Sequence, residues 1–253
     1  MINPMDLQGR RILVTGASSG IGRETAILLS RLGARLILVG RDKERLAQTE
    51  SRLEGQGHCA QAFDLTEVAA IPNWMRVLTA GGEVLHGLVH SAGVDATRPL
   101  NVLSPEVLSR TLRINLEAAV GLLRGFRQKG VHCKNGSSVV LLASVMALVG
   151  QPGVAAYSAT KGALVALARS VALELAGDHI RVNCVAPGHV KTEMAETLRQ
   201  KLSSEQFAAL EARHPLGIGT ALDVAYSIAF LLADTGRWIT GTTLVVDGGY
   251  TAH

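Results

Sequence analysis

Tyr157 and Lys161 stand four residues apart in a stretch, residues 155–176, that is predicted to be a helix. Residues four apart share one face of a helix, so these two side chains are expected to lie together. A free tyrosine has a pKa of about 10, and a nearby ammonium group stabilises the phenolate and lowers that pKa. The pair therefore predicts a general acid or base that exchanges a proton with a carbonyl or alcohol oxygen.

Ser144 adds a hydroxyl at the end of residues 138–143, an apolar stretch that is predicted to be a strand. A hydroxyl at that point could hold the same substrate oxygen as Tyr157. The alternative interpretation is a half-buried tyrosine beside a lysine whose alkyl stem covers apolar surface. The Tyr-x-x-x-Lys spacing alone does not separate the two, whereas a serine at a strand end favours the catalytic interpretation.

A glycine-rich turn follows the first predicted strand and runs from Thr15 to Gly22, with the sequence Thr-Gly-Ala-Ser-Ser-Gly-Ile-Gly. Glycine permits a tight turn and a close approach of the backbone to a pyrophosphate. The helix after the turn presents free N–H groups and the positive end of its dipole. The position of the turn favours a dinucleotide site over a purely structural turn. The candidate cofactor contacts here are Gly16, Ser18, Ser19, Gly20, Ile21 and Gly22.

Arg41 and Asp42 follow the second predicted strand, where dinucleotide-binding folds often place an acidic residue on the ribose 2′-hydroxyl. A carboxylate would repel a 2′-phosphate there, whereas a guanidinium binds one bidentately. Arg41 therefore favours NADP(H), with NAD(H) left open and a solvated arginine as the alternative. Asp42 is predicted to be a helix N-cap. After the third strand, Asp64 and Leu65 are candidates for the adenine, and Asp64 could equally cap a helix beginning near Thr66.

Strand-like and helix-like stretches alternate along the whole chain, and the strands are short, apolar and β-branched. This pattern predicts an α/β fold with a single doubly wound parallel sheet, a Rossmann fold with helices on both faces. Such folds bind ligands at the carboxyl ends of their strands. Strands are predicted at residues 11–14, 35–39, 59–63, 87–90, 138–143, 180–185 and 243–246, and helices at 21–32, 42–54, from 66, 105–128, 155–176, 193–212 and 221–233.

The chain has 253 residues, 47% hydrophobic and 18% charged, which excludes intrinsic disorder and predicts one domain over residues 1–253. The net charge of +4 is spread along the chain, unlike the basic patch of a nucleic-acid-binding protein. No signal peptide or membrane span is predicted. The dispersed Cys59, Cys133 and Cys184 predict neither a disulfide framework nor a metal site. Free thiols in the cytoplasm are expected.

These motifs together resemble the short-chain dehydrogenase/reductase family, in its compact single-domain branch, over essentially the whole chain. One departure is His90-Ser91, which stands where the family has Asn-Asn before Ala-Gly. A histidine with satisfied hydrogen bonds at a strand end is the expectation for His90. The matching positions are Thr15, Gly16, Gly20, Gly22, Ala92, Gly93, Asn115, Ser144, Tyr157, Lys161, Pro187, Gly188, Thr192 and residues 246–249.

The resemblance implies a role for each matching residue. Tyr157 would be the acid/base, and Lys161 would lower its pKa and bind the nicotinamide ribose. Ser144 would orient the substrate oxygen, and Asn115 would hold a water in a proton relay that reaches Lys161. The resemblance also implies a homotetramer or homodimer, assembled through two long helices and the C-terminal strand. Further implied cofactor contacts are Leu65, Ser91, Ala92, Gly93, Pro187, Gly188, Val190 and Thr192.

The implied reaction is NADP(H)-dependent interconversion of a ketone and a secondary alcohol, and the motifs are similar to those of 3-oxoacyl-(acyl-carrier-protein) reductases. Leu173 stands where carrier-protein reductases tend to have an arginine for the acidic carrier. Arg127 and Lys129 remain as candidate contacts for an anion, although solvated charges at a helix end are the favoured interpretation. Residues 189–216 are expected to form a substrate lid. A sugar, polyol or small-ketone dehydrogenase using NAD(H) and a non-catalytic dinucleotide-binding regulator are the alternatives. A methyltransferase is disfavoured. Substrate-facing candidates are Val145, Met146, Gln151, His189 and Met194.

Overall fold

The structure is a computed structural model that describes residues 3–200 and 202–252. Residues 1, 2 and 253 of the predicted domain lie outside the described residues. So does Lys201, which falls within the predicted lid and the predicted helical region 193–212.

Seven parallel strands form one sheet in the order β3-β2-β1-β4-β5-β6-β9, which confirms the predicted α/β, doubly wound architecture. The order reverses at β1, so the crevice between the carboxyl ends of β1 and β4 is the expected ligand position. A separate pair of two-residue strands, β7 and β8, joins the two ends of the predicted lid. The strands are β1 (Arg11–Thr15), β2 (Arg35–Gly40), β3 (Cys59–Ala62), β4 (Gly87–His90), β5 (Ser137–Leu142), β6 (Ile180–Pro187), β7 (Val190–Lys191), β8 (Gly219–Thr220) and β9 (Thr243–Val246).

Helices cover both faces of the sheet and bury its apolar side chains in two cores. One core packs α3, α5 and α6 against the sheet, and the other packs α1 and α9 against the opposite face. No described residue between 191 and 220 belongs to either core. The helices are α1 (Gly20–Arg31), α2 (Lys43–Glu50), α3 (Ile71–Leu78), α4 (Pro105–Leu112), α5 (Ala118–Phe126), α6 (Ala155–Leu175), α7 (Glu193–Arg199), α8 (Ser204–Ala212) and α9 (Ala221–Leu232).

Four predicted helices differ from the observed ones. The helix predicted over residues 42–54 ends at Glu50. The helix predicted from residue 66 begins only at Ile71, after a 3₁₀ turn at Val68–Ala70. The region predicted as 193–212 is two helices, because Ser203 and Gln206 form a capping box that starts α8. The helix predicted over 105–128 contains a π-helical turn at Arg113–Glu117 between α4 and α5. In the described parts of the chain, no helix has the length and apolarity needed to cross a membrane.

Candidate active site

A cavity of about 1160 Å³ opens at the carboxyl ends of the central strands, where the sheet topology places ligands. The glycine loop borders one part of it, the end of β5 and the start of α6 border the middle, and α7 and α8 border the rest. The predicted site residues that line it are Gly16, Ser18, Ser19, Gly20, Ile21, Arg41, Asp64, Leu65, Ser91, Ala92, Gly93, Ser144, Val145, Met146, Gln151, Tyr157, Lys161, Pro187, Gly188, His189, Val190, Thr192 and Met194.

Gly22 was predicted to bind the cofactor and Asn115 to hold a water of a proton relay, and neither residue lines the cavity. Gly22 lies behind the glycine loop, where an added Cβ would stand only 2.3 Å from the carbonyl oxygen of Gly16. Its role in the structure is close backbone packing between the loop and α1. Asn115 is fully buried and supports the loop after β4 instead of facing the cavity.

Close backbone approach explains the other glycines of the loop. Gly16 has a φ of +67°, and an added Cβ would lie 2.8 Å from the backbone nitrogen of Ala92. Gly20 has a φ of +51°, and its missing Cβ makes room for the side chain of Thr192 at 3.3 Å. Both positions favour glycine because L-residues with a side chain rarely adopt such backbone angles. The loop is therefore pressed between the β4 loop and the start of the lid.

The N-terminus of α1 carries an anion already, in the form of the Glu193 carboxylate. Ser19 is the N-cap and makes no side-chain capping hydrogen bond. The Gly20 N–H donates instead to Glu193 Oε2 at 3.0 Å. The guanidinium groups of Arg23 and Arg45 lie 3.2 and 3.3 Å from Glu193 Oε1. The Gly20 N–H group and the positive end of the helix thus attract an acidic group here, as they would attract a pyrophosphate.

Arg41 lines the cavity at the carboxyl end of β2, beside Asp64 at the end of β3. The predicted capping role of Asp42 is confirmed, since its side chain accepts the Arg45 N–H at 3.0 Å. Asp64 accepts the Thr66 N–H at 2.9 Å. That hydrogen bond, with the nearby Arg41 charge as a smaller contribution, lowers the pKa of Asp64. Asp64 therefore caps a turn and borders the cavity at the same time.

Asn115 fixes the loop that follows β4. Its side chain accepts the Val94 N–H at 2.8 Å and donates to the Val94 carbonyl at 3.0 Å. The same amide group donates to the Thr160 hydroxyl at 3.1 Å, one residue before Lys161. An added Cβ on Gly93 would meet Asn115 Oδ1 at 3.3 Å. Asn115 thus connects the β4 loop to α6, and its part in a proton relay stays a prediction.

Tyr157, Lys161 and Ser144 come together at the middle of the cavity. The Lys161 ammonium lies 5.5 Å from the centre of the Tyr157 ring and donates to the Leu142 carbonyl at 2.6 Å. Ser144 accepts the Met146 N–H at 3.2 Å. Burial raises the pKa of Tyr157 to about 12, although hydrogen bonding with Ser144 opposes that shift. Burial also lowers the pKa of Lys161 to about 8.

The predicted lowering of the Tyr157 pKa is therefore wrong for this structure. Desolvation penalises the charged phenolate more than the surrounding polar groups stabilise it. The carboxylate of Asp95 adds a smaller contribution in the same direction. The arrangement favours Tyr157 as a proton donor at neutral pH.

The hydrogen bonding of His90 differs from the prediction of a histidine with satisfied hydrogen bonds. Its Nδ1 lies 3.0 Å from the Thr15 hydroxyl, but its buried Nε2 has no hydrogen-bond partner. Burial, together with the Lys161 charge, lowers the pKa of His90 to about 3. His90 is therefore a neutral histidine with a hydrogen-bond partner on only one ring nitrogen, and it lies between the glycine loop and Lys161.

Several cavity residues were not singled out from the sequence as site residues. Glu193 and Arg45 reach the cofactor end, and Arg213 and Tyr250 reach the far end. Glu193 stands beside the predicted contact Thr192, which is the signal that could have found it. Arg213 carries no comparable signal, since only the fold brings it to Tyr250. No group of acidic, histidine or cysteine side chains with metal-binding geometry occurs among the described residues.

The sequence and the fold are both similar to known oxidoreductases. Residues 16–251 match the family model described as enoyl-(acyl carrier protein) reductase. The 3-oxoacyl-(acyl-carrier-protein) reductase of Rickettsia prowazekii is 33% identical over 97% of this chain and 98% of its own length. A Sinorhizobium meliloti structure described as a short-chain alcohol dehydrogenase has a TM-score of 0.90 and 32% identity, covering 99% of each chain.

A Beutenbergia cavernae structure, described as an NAD(P)-dependent gluconate 5-dehydrogenase with bound NADP, has a TM-score of 0.89 and 35% identity. It covers 99% of this chain and 100% of its own. The match to the family model spans nearly the whole chain, and the motifs stand in the order that the resemblance required. The chain therefore belongs to the short-chain dehydrogenase/reductase family and is an oxidoreductase of that family.

Proposed function

We propose that this protein interconverts a ketone and a secondary alcohol, with NADP(H) as the partner of the hydride transfer. The observation that carries the proposal is the convergence of Tyr157, Lys161 and Ser144 on one cavity whose other end is the glycine loop. The nicotinamide, when bound, supplies or accepts the hydride. The residues of the chain bind the cofactor, hold the substrate oxygen and move its proton.

Tyr157 is the proposed proton donor to the carbonyl oxygen during reduction. A pKa of about 12 keeps the hydroxyl protonated at neutral pH, as a donor requires. Ser144 is proposed to hold the same oxygen by a hydrogen bond from its hydroxyl. Lys161 is proposed to bind the nicotinamide ribose and to stabilise the phenolate that remains after the proton leaves. Asn115 positions these groups through Val94 and Thr160.

The glycine loop is proposed to hold the cofactor pyrophosphate, and Arg41 its 2′-phosphate. The positive φ values of Gly16 and Gly20 suit a pyrophosphate, as does the start of α1, where Ser19 makes no side-chain capping hydrogen bond. Arg41 stands at the end of β2 where an NAD(H)-specific acidic residue would otherwise be expected. The NADP in the similar Beutenbergia structure supports the same assignment.

The substrate is proposed to be a small carbonyl compound that binds beneath a lid formed by residues 189–216. The protein is proposed to be a single-domain enzyme of the cytoplasm. A 3-oxoacyl thioester is one candidate, as in the similar Rickettsia reductase. A sugar acid is another, as in the similar gluconate 5-dehydrogenase. Assembly as a homotetramer or homodimer is part of the proposal.

Titration with NADPH and NADH tests the cofactor assignment. Energy transfer from Trp74 and Trp238 to the reduced nicotinamide reports binding. We expect NADPH to bind at least about tenfold more tightly than NADH, and Arg41→Ser to remove that preference. Arg52→Ser is the matched control, because Arg52 is an arginine just after α2 that pairs with Glu24 and does not line the cavity.

Equal binding of NADPH and NADH would overturn the preference and leave the ketone chemistry standing. Absence of binding by either cofactor, together with no turnover on a panel of ketones, would overturn the proposed function itself. The non-catalytic alternative predicts NADPH binding without turnover.

A further inference from the structure

The lid helix α8 turns one face toward the substrate end of the cavity. Gln206, Ala209, Leu210 and Arg213 all line the cavity, at spacings of three, four and seven residues. Such spacings place side chains on one face of a helix. Arg213 is the C-cap of α8, so its guanidinium stands at one end of this face. Ala209 and Leu210 give the middle of the face an apolar character.

The charge of Arg213 is not neutralised by a carboxylate in the described parts of the chain. The guanidinium donates to the Tyr250 hydroxyl at 3.4 Å and lies 5.7 Å from the centre of the Tyr250 ring. Tyr250 is buried, whereas Arg213 is exposed. By contrast, Arg45 at the cofactor end pairs with Glu193. Arg213 therefore brings an unneutralised positive charge to the cavity wall.

Other polar side chains at the substrate end of the cavity are engaged in hydrogen bonds or have a lowered pKa. His214 accepts the His189 N–H on Nε2 at 3.1 Å, and its Nδ1 lies 2.9 Å from the Leu210 carbonyl. Burial lowers the pKa of His189, and His214 adds to that shift, so the His189 ring is neutral at pH 7. Gln206 accepts the Ser203 N–H, which leaves only its amide N–H₂ group free to donate.

Charges of both signs lie near Tyr157. Asp95 lines the cavity in the loop after β4, and its carboxylate contributes to the raised pKa of Tyr157. The Lys161 ammonium lies 5.5 Å from the centre of the Tyr157 ring and opposes the charge of Asp95. Among the described residues no carboxylate pairs with Arg213, so an anionic group of the substrate would be attracted there while its carbonyl lies at the tyrosine.

We infer that the ketone substrate carries an anionic group, a carboxylate or a phosphate, at the end remote from its carbonyl, and that Arg213 binds it. A guanidinium can bind either group through two parallel hydrogen bonds. Met146, Met194 and Leu210 line the space between and would contact the intervening carbon atoms. The inference rests on the proposed function, because it takes Tyr157 as the position of the carbonyl.

Calorimetric titration of the protein–NADP⁺ complex, which cannot reduce a ketone, tests this inference without turnover. The probes are unbranched oxo acids of four to eight carbons and the methyl ester of each acid. We expect at least one acid to bind about tenfold or more tightly than its ester, because a charged hydrogen bond is lost in the ester. Arg213→Gln should remove that difference and leave the affinity for the ester unchanged. Arg213→Lys should retain part of it.

Arg199→Gln is the matched control, because Arg199 is a lid arginine that pairs with Glu196 and does not line the cavity. It should leave the preference for the acid intact. A further titration with 3-oxobutanoyl-coenzyme A separates the two sources of the anion. If the thioester binds more tightly than the acids and Arg213→Gln removes that advantage, a phosphate is the partner of Arg213. If the acids bind more tightly than the thioester, the partner is a carboxylate.

The inference would be overturned if acids and esters bind equally or if no probe binds. It would also be overturned if Arg213→Gln weakens the binding of acids and esters by the same factor. In each of those cases NADPH binding and the tyrosine chemistry would still stand. A protein that fails to bind NADPH would overturn the proposed function, and the inference with it.

Discussion

The Glu193 carboxylate accepts a hydrogen bond from the backbone N–H of Gly20 at 3.0 Å, so an acidic group of the lid occupies the positive end of α1. Arg23 and Arg45 complete its surroundings. The contact joins the start of α7 to the glycine loop. A cofactor pyrophosphate at this loop would meet a negative charge beside it, and the lid and the cofactor are thereby coupled through one side chain.

Glu193→Gln should tighten NADPH binding by about threefold to tenfold, because it removes a negative charge next to the proposed pyrophosphate site. The amide oxygen can still accept the Gly20 N–H, so the lid remains attached. Fluorescence titration measures the dissociation constant. Glu196→Gln, on the same helix and paired with Arg199, is the control and should change little. Weaker binding in Glu193→Gln would show that the carboxylate supports the cofactor.

Tyr157→Phe should reduce turnover by about a hundredfold or more, because the proton donor is lost. The dissociation constant for NADPH should remain within about twofold of the wild-type value, since the hydroxyl is proposed to serve the substrate oxygen. Single-turnover oxidation of NADPH in the presence of a ketone measures the loss of turnover. A variant that keeps substantial turnover would exclude Tyr157 as the acid.

Lys161→Met should stabilise the protein at pH 7 more than at pH 10. Burial holds the folded-state pKa of Lys161 at about 8, below the 10.5 of an exposed lysine. The unfolded chain therefore binds more protons between those two values, and wild-type stability gains up to about 3 kcal/mol from this group as the pH rises through that range. Below pH 8 the full cost of the buried charge applies.

Urea unfolding of both proteins at pH 7 and pH 10 checks this prediction. The difference in the free energy of unfolding between variant and wild type should shrink at the higher pH, while Tyr157 stays protonated in the folded state. A difference that does not change with pH would mean that the ammonium is better solvated than its burial implies.

Gly22→Ala should lower the free energy of unfolding by about 1–3 kcal/mol and weaken NADPH binding, because the new Cβ would strike the Gly16 carbonyl at 2.3 Å. Gly162→Ala is the matched control, since this α6 glycine has open space where its Cβ would stand. Alanine is the better helix former by about 1 kcal/mol, so the control should be neutral or stabilising. Equal stability of the two variants would contradict the packing argument.

Leu173→Glu should shift the protein to smaller assemblies if α6 forms the proposed subunit interface. The Leu173 side chain is 80% exposed on α6 in the single chain, and Ala166, two turns earlier on the same helix, is also exposed. A charge in an apolar interface is costly to bury. Sedimentation velocity measures the mass, and Val77→Glu, another exposed apolar residue on a different helix, is the control. An unchanged assembly would place the interface elsewhere.

The doubly wound parallel sheet follows from the alternation of strands and helices, and the position of the cavity follows from the rule that such sheets bind ligands at the carboxyl ends of their strands. Local hydrogen bonding decided the details that the sequence did not predict. Ser203 and Gln206 start a new helix through a capping box, and this pattern is readable in the chain. The π-helical turn contains Asn115, whose hydrogen bonds to Val94 and Thr160 form only because the fold brings these residues together.

Some site residues were likewise predictable from the sequence, and others depend on the fold. The glycine loop and the Tyr-x-x-x-Lys pair were predictable because one short stretch of chain carries each motif. The pKa of Tyr157 was not, because it depends on how many neighbouring atoms exclude water from the ring. Arg213 and Tyr250 come together from different parts of the chain, and no local pattern marks either residue.

The described residues between 191 and 220 lie outside both hydrophobic cores, yet several of them line the cavity. If this segment selects the substrate as proposed, selectivity can change there with little effect on the packing that stabilises the fold. Replacing residues 193–214 with the corresponding segment of a relative should exchange the preferred ketone while leaving the thermal midpoint nearly unchanged. A family built in this way can acquire new substrates by varying one surface segment, because the hydride chemistry beneath it is left intact.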